Sequence, residues 1–379
     1  MVQARVLRKH NVDLHYNNAL FSFMKKRAKK YVDSTTFVTA DAKCKVSVGE
    51  PGFPIAAVAR GKQVIVAENE VMAVGDHDFS KLSLIPDAIL IHEIPSSNDS
   101  SKEIPNEGIS NENLNEDIEP IEKDVQEGDQ RVLRSNVVVP SSSTKVKDRE
   151  SEDAIGSWYT GQCYYGVKNM ITQGSTAIRC TTELAKTIQQ EHCIKPRLYV
   201  FTDGGGDRNI TNLAVQKNIV SVFLKLDLDE AVFARTAANC SFRNPVERMH
   251  AIANIGLQAV GIMRGSMSDD SENKLKTFGG NIEIRTACET DRDLLSEVTE
   301  SLEKPKQIIE TVLSNLSLKG KPFKIYQPVE EDEIQSYIDA LKRLEPNIEH
   351  LFRKRTCANS LHSKSSSALI VYPGPTIFM

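Results

Sequence analysis

The chain has 379 residues, of which 40% are hydrophobic and 26% charged, with a net charge of −4 from 51 acids and 47 bases. That is enough apolar material for one large domain with appendages. No apolar run approaches the roughly 20 residues of a membrane span and no charged-then-apolar signal opens the chain, so a nuclear or cytoplasmic protein is expected, neither secreted nor held in a membrane.

Seven cysteines are scattered, odd in number and never spaced as Cys-x-x-Cys, which reads as reduced thiols without a zinc knuckle or disulfide framework. The charge is uneven. Residues 96–154 hold 15 of the acids and 7 of the bases, which leaves 36 acids and 40 bases elsewhere, a small positive surplus compatible with a polyanion partner.

In chain order, Tyr16, Ala19, Leu20, Phe23 and Met24 form the apolar stripe of a helix, and Lys25 to Lys30 lie at its negative pole. Residues 35–41 and 43–48 then read as two tightly joined strands, with a turn at Pro51-Gly52 and further strands at 63–67 and 87–94. Residues 96–154 are built from Ser, Asn, Asp, Glu and Pro without a period, too little apolar surface to offset about 1–2 kcal/mol of backbone entropy per residue. They are expected to be a disordered acidic insert within the domain.

After the insert, a helix is expected over 181–190, a strand over 198–202, a helix from Asn209 to Lys217 and a strand over 219–224. Asn244 suits a helix cap, Pro245 the first turn, and Val246, Met249, Ala253, Leu257 and Val260 the buried stripe. Residues 268–350 read as a small helical appendage that offers a surface for a homo-oligomer, and 351–379 as an irregular tail. The domain thus comprises 1–95 and 155–267, an α/β arrangement with a mixed sheet flanked by helices.

Three acids stand at the ends of these elements. Asp41 ends a strand, Asp203 ends another before Gly204-Gly205-Gly206, and Glu247 opens a helix. Each has a plain reading taken singly: water lies near strand ends, and Glu247 is placed to reach back to Asn244 as in a capping box. Together, a mixed sheet could bring them to one edge, and three converging carboxylates suit Mg²⁺ or Mn²⁺ and two-metal chemistry at phosphorus. Asp207 is a substitute ligand candidate, although Asp203 follows the strand directly. A second reading uses the glycine loop Gly204 to Gly206 to cradle a nucleotide or other phosphate at a helix N-terminus.

Ala40-Asp41-Ala42-Lys43, Val48 to Pro54, Phe201 to Asp207, Phe223 to Asp229, Ala234 to Ala237 and Asn244 to Arg248 together resemble the DDE-type transposase and integrase superfamily. The likeness is nearest to a group of uncharacterised transposon-derived proteins of invertebrates and fungi. It implies an RNase H-like catalytic core with Asp41, Asp203 and Glu247 as catalytic metal ligands for Mg²⁺ or Mn²⁺, and DNA nicking and strand transfer as ancestral chemistry. Departures from that pattern occur at Ala42, where the family has an acidic pair, at Gly206 and Arg208, and at Ala238. With no DNA-binding region before the core, they point to a degenerate or truncated copy with reduced or no activity and weak DNA contact; an active nuclease or strand-transferase is the alternative.

Overall fold

The structure is a computed structural model that describes residues 14–58, 81–95, 157–237, 240–258, 260–344, 368–371 and 377–378. The chain enters through α1 (Leu14–Lys30), followed by β1 (Thr35–Ala42), the short β2 (Val46–Ser47) and β3 (Ile55–Ala56), and β4 (Ser83–His92). Then come β5 (Gly161–Asn169), α2 (Ala177–Gln190), β6 (Arg197–Thr202), α3 (Leu213–Lys225), β7 (Glu230–Arg235), α4 (Val246–Leu257) and β8 (Gly261–Ile262). The last third holds α5 (Asp269–Thr277), α6 (Asn281–Thr290), α7 (Arg292–Ser314), β9 (Ser317–Leu318), β10 (Lys321–Pro322), β11 (Lys324–Ile325), α8 (Glu331–Leu344), β12 (Ala368–Val371) and β13 (Ile377–Phe378). The strand expected at 63–67 and the acidic insert at 96–154 lie outside the described residues.

The main sheet runs β11-β5-β4-β1-β6-β7-β12-β13. Its β5, β4 and β1 are antiparallel neighbours, whereas β1, β6 and β7 are parallel. The chain is therefore α/β with a mixed sheet. β1 is central and buried almost throughout because its two faces meet different helices. Val38 and Ala40 join a core with Leu184, Ile188, Val215, Ile219 and Val222 of α2 and α3, while Phe37 packs with Met24 and Ala28 of α1. Side-chain alternation along a strand puts Thr39 and Asp41 on the Phe37 side. On the neighbouring strands of that side, Ala88, Leu90 and Tyr165 pack with Val246, Met249 and Ala253 of α4.

Several expectations are corrected. Residues 219–224 are not a strand: α3 runs through them, capped by Asn212, whose side chain accepts from the Ala214 amide at 3.0 Å. The β-branched run suggested a strand, yet Val215, Ile219, Val222 and Phe223 are buried at helical spacing, and tertiary packing decides such short apolar runs. The strand lies further on, at β7, and β5 was not foreseen because its Gln162, Tyr164, Lys168 and Asn169 blur the apolar pattern. β2 pairs with β4 and does not form a hairpin with β1.

The helical region is no appendage. Leu275, Ile284, Leu294, Val298, Leu302, Ile309 and Leu313 share one core with Leu84, Leu90 and Tyr165 of the sheet. Within this region α7 is one continuous helix from Arg292 to Ser314 that carries Pro305 in its interior. Within the tail expected to be irregular, β12 adds antiparallel to β7, with Leu369 and Val371 buried. Among the described residues no helix is long and apolar enough to cross a membrane.

Candidate metal centre

Strand register delivers the first two acids to one place. Ala40 pairs with Thr202 as the last parallel couple of β1 and β6, so the next residues, Asp41 and Asp203, emerge side by side at the same sheet edge. Asp41 is 5% exposed; Asp203 and Glu247 are half-exposed. The third acid is brought in by Asn244. Its Nδ2 donates to the Ala40 carbonyl at 3.2 Å, a buried bond between the residue preceding Asp41 and the start of α4. Its Oδ1 accepts from the Val246 amide at 3.3 Å, the capping role expected from sequence, and Glu247 is thereby held in the first turn above the end of β1.

The capping-box reading of Glu247 fails, because the Asn244 amide already donates to the Ser241 carbonyl at 2.7 Å. Among the described residues, neither Glu247 nor Asp41 has a hydrogen bond or ion pair to its carboxylate. The electrostatics show the consequence. Burial first, then the Asp203 charge, with Glu247 and Asp87 adding, pushes the Asp41 carboxyl up to about 8 against the pull of Arg208. Asp203 is itself held by the Gly205 amide, which donates to Oδ1 at 3.0 Å.

These carboxylates form an open set. Among the described residues, the only three His, Cys, Asp or Glu ligand atoms lying mutually within 4.8 Å belong to Asp87, Cys180 and Glu183. Asp41, Asp203 and Glu247 are therefore too spread to share one ion through all three, but spread acids suit two ions about 3.5–4 Å apart, where the outer ligands bind different metals. Asp41, buried without a partner and pushed up by its neighbours' charges, is the kind of carboxylate a hard divalent cation would neutralise.

The Asp87, Cys180 and Glu183 cluster could hold a metal by its ligand types, yet it already contains cations. Lys168 Nζ lies 2.8 Å from Asp87 and 2.7 Å from Glu183, and Arg208 meets both Asp87 oxygens at 2.6 and 2.8 Å. Two cations match two anions, all buried, so an ammonium occupies the place a metal would take. Ala42 pairs with Asp87 and so faces this second cluster, on the opposite side of the sheet from Asp41. An acid at 42 would point away from Asp203 and Glu247. Asp207, the substitute candidate, accepts from the Cys180 thiol through Oδ2 at 3.1 Å, while its Oδ1 lies with the Asp203 carboxylate beside Gly205.

The glycine loop is shaped by its own acid. Gly204 has φ +82, and a side chain there would press on the Arg235 stem. The Gly205 amide is spent on Asp203, and α3 begins only at Leu213, so the loop does not feed a helix N-terminus as phosphate cradling requires. Beneath the acids, His250 Nδ1 and the Tyr165 hydroxyl lie 3.1 Å apart, and burial lowers His250 to about 4, leaving it neutral at pH 7.

Sequence reading missed the Asn244 bond to β1 and the counterions Lys168 and Arg208; Asn244 was visible only as a cap. Comparisons with protein-family profiles, curated proteins and solved structures find no match.

Proposed function

We propose that this chain is a transposon-derived protein with an RNase H-like core, whose Asp41, Asp203 and Glu247 hold Mg²⁺ or Mn²⁺ and serve phosphodiester cleavage or transfer on DNA. The observation that carries the reading is that acids at the end of β6 and the start of α4 stand near enough to Asp41 of β1 for their charges to add to the burial that lifts it to about 8. The central mixed sheet flanked by helices supports the core assignment.

Bound divalent ions would supply an activated water and stabilise the leaving oxygen at phosphorus. The chain's own part is positioning. β1 fixes Asp41 at the floor, the Gly205 amide aims one Asp203 oxygen, and Asn244 sets Glu247 at the rim. Outside 96–154 the charge surplus is positive, which favours a polyanion and makes binding salt-dependent. The loss of an acid at 42 does not by itself disable the site, because that position faces elsewhere. This favours activity over a spent copy.

The test is calorimetric titration of the full chain with Mn²⁺, followed by nicking of supercoiled plasmid. Wild type should bind metal and nick, and Asp203→Asn and Asp41→Asn should lose both. Metal binding without nicking returns the degenerate reading; nicking that survives Asp203→Asn removes the site from the chemistry.

A further inference from the structure

On α1, at the start of α4 and in the segments beside them, cations lie over aromatic rings. Arg248, the residue after Glu247, is exposed and stacks its guanidinium 3.6 Å from the ring centroid of Tyr159. The adjoining Trp158 is half-exposed, with Lys25 Nζ 5.9 Å from its centroid and 4.9 Å from that of Phe21. Arg243 lies over Phe242, which is 43% exposed, in the turn leading to α4. Across Asp203, the Arg235 stem lies along Gly204, placing a cation on the far side of the acids.

Among the described residues, Arg235, Arg243 and Arg248 form no ion pair. Cations without an ion pair leave their donors for another anion, with Arg235 beside the Asp203 loop and Arg248 next to Glu247. Half-exposed rings between them add something a duplex cannot use, since its bases are already stacked and paired. Unpaired bases stack on aromatic faces and on guanidinium planes, while cations track the backbone.

We infer that the acid site receives a single, unpaired polynucleotide strand, laid from Arg235 across Asp203 and Glu247 onto Arg248 and Tyr159. The inference rests on the reading of the acids as a phosphodiester-cutting site and specifies the form of its substrate. Backbone phosphates meet the three arginines, and bases stack at Phe242 and on the Arg248–Tyr159 pair.

The experiment is fluorescence polarisation of the full chain with a labelled oligo-dT of about 15 nucleotides, oligo-rU of equal length and a matched duplex, in EDTA at fixed salt. Either single strand should bind at least about tenfold more tightly than duplex, and the tighter of the two identifies the sugar. Arg248→Gln and Tyr159→Leu, with circular dichroism unchanged, should each weaken single-strand binding about tenfold and duplex binding about twofold or less. Because Arg248 is exposed, its replacement keeps the test valid should Tyr159→Leu unfold the chain. Equal or preferred duplex binding, or an Arg248→Gln variant that binds the strand like wild type, overturns the inference. Mn²⁺ calorimetry separates the two readings: metal uptake without strand preference sinks only the strand path, whereas strand preference without metal uptake sinks only the cutting chemistry.

Discussion

Asp41 shows what happens when a carboxyl is placed by backbone register and not by a partner. Its folded-state pKa of about 8 lies far above the unfolded value near 3.8, so the folded chain binds the extra proton between those limits. The stabilisation is fully present below about 4 and is lost as pH rises through about 8, with a size on the order of a few kcal/mol. Without metal, thermal midpoints should therefore fall across that window, and Asp41→Asn should flatten the curve and stabilise the protein at pH 8. A wild-type profile flat from pH 4 to 8 would contradict this. By the same linkage, metal uptake at pH 7 should release protons from Asp41, read as a calorimetric enthalpy that varies with buffer ionisation, and affinity should climb with pH until about 8.

At the scale of elements, the site depends on how the start of α4 is tied to the end of β1. Asn244 both caps α4 and donates to Ala40, and losing a cap costs about 0.5–2 kcal/mol while a buried carbonyl left without its donor costs about 1–3 kcal/mol. Asn244→Ala should lower stability by about 2–4 kcal/mol and weaken metal binding without removing a ligand. Asn244→Asp, which keeps the capping oxygen but not the donor, should restore the cap portion only, read by urea denaturation. Asn244 as a cap was legible in sequence from its place before Pro245 and a helical stripe. Its bond to Ala40 was not, because the partner lies 204 residues away and is set only by the packing of α4 over β1.

Across the whole molecule, the acids at the sheet edge stand opposite a neutral buried quartet of Asp87, Lys168, Glu183 and Arg208 that binds β4, β5, α2 and the loop after β6 together. Removing one charge leaves another buried and unpaired, so Lys168→Met should cost about 3–5 kcal/mol. The double variant Lys168→Met/Glu183→Leu keeps the Arg208–Asp87 pair and should recover a large part of that loss, a non-additivity that a double-mutant cycle in urea measures directly. Additive losses would mean that the two side chains do not act as a pair.

Sequence by itself determined the elements whose signals are local: β1 and β6 from β-branched runs ending at Asp41 and Asp203, α4 from its cap and stripe, and thereby the three acids at element ends. Local signals cannot rank competing periods where an apolar run fits both, which is why α3 was read as a strand over 219–224 and β5 was not read at all. Nor can they reveal which face a residue takes. Only the tertiary structure decided that Asp41 lies on the α4 side of the sheet while position 42 faces Asp87, and that residues 268–344 complete the core. The physical reason is that register and burial are set by pairings between distant segments, whose energies depend on what each side chain meets across the sheet.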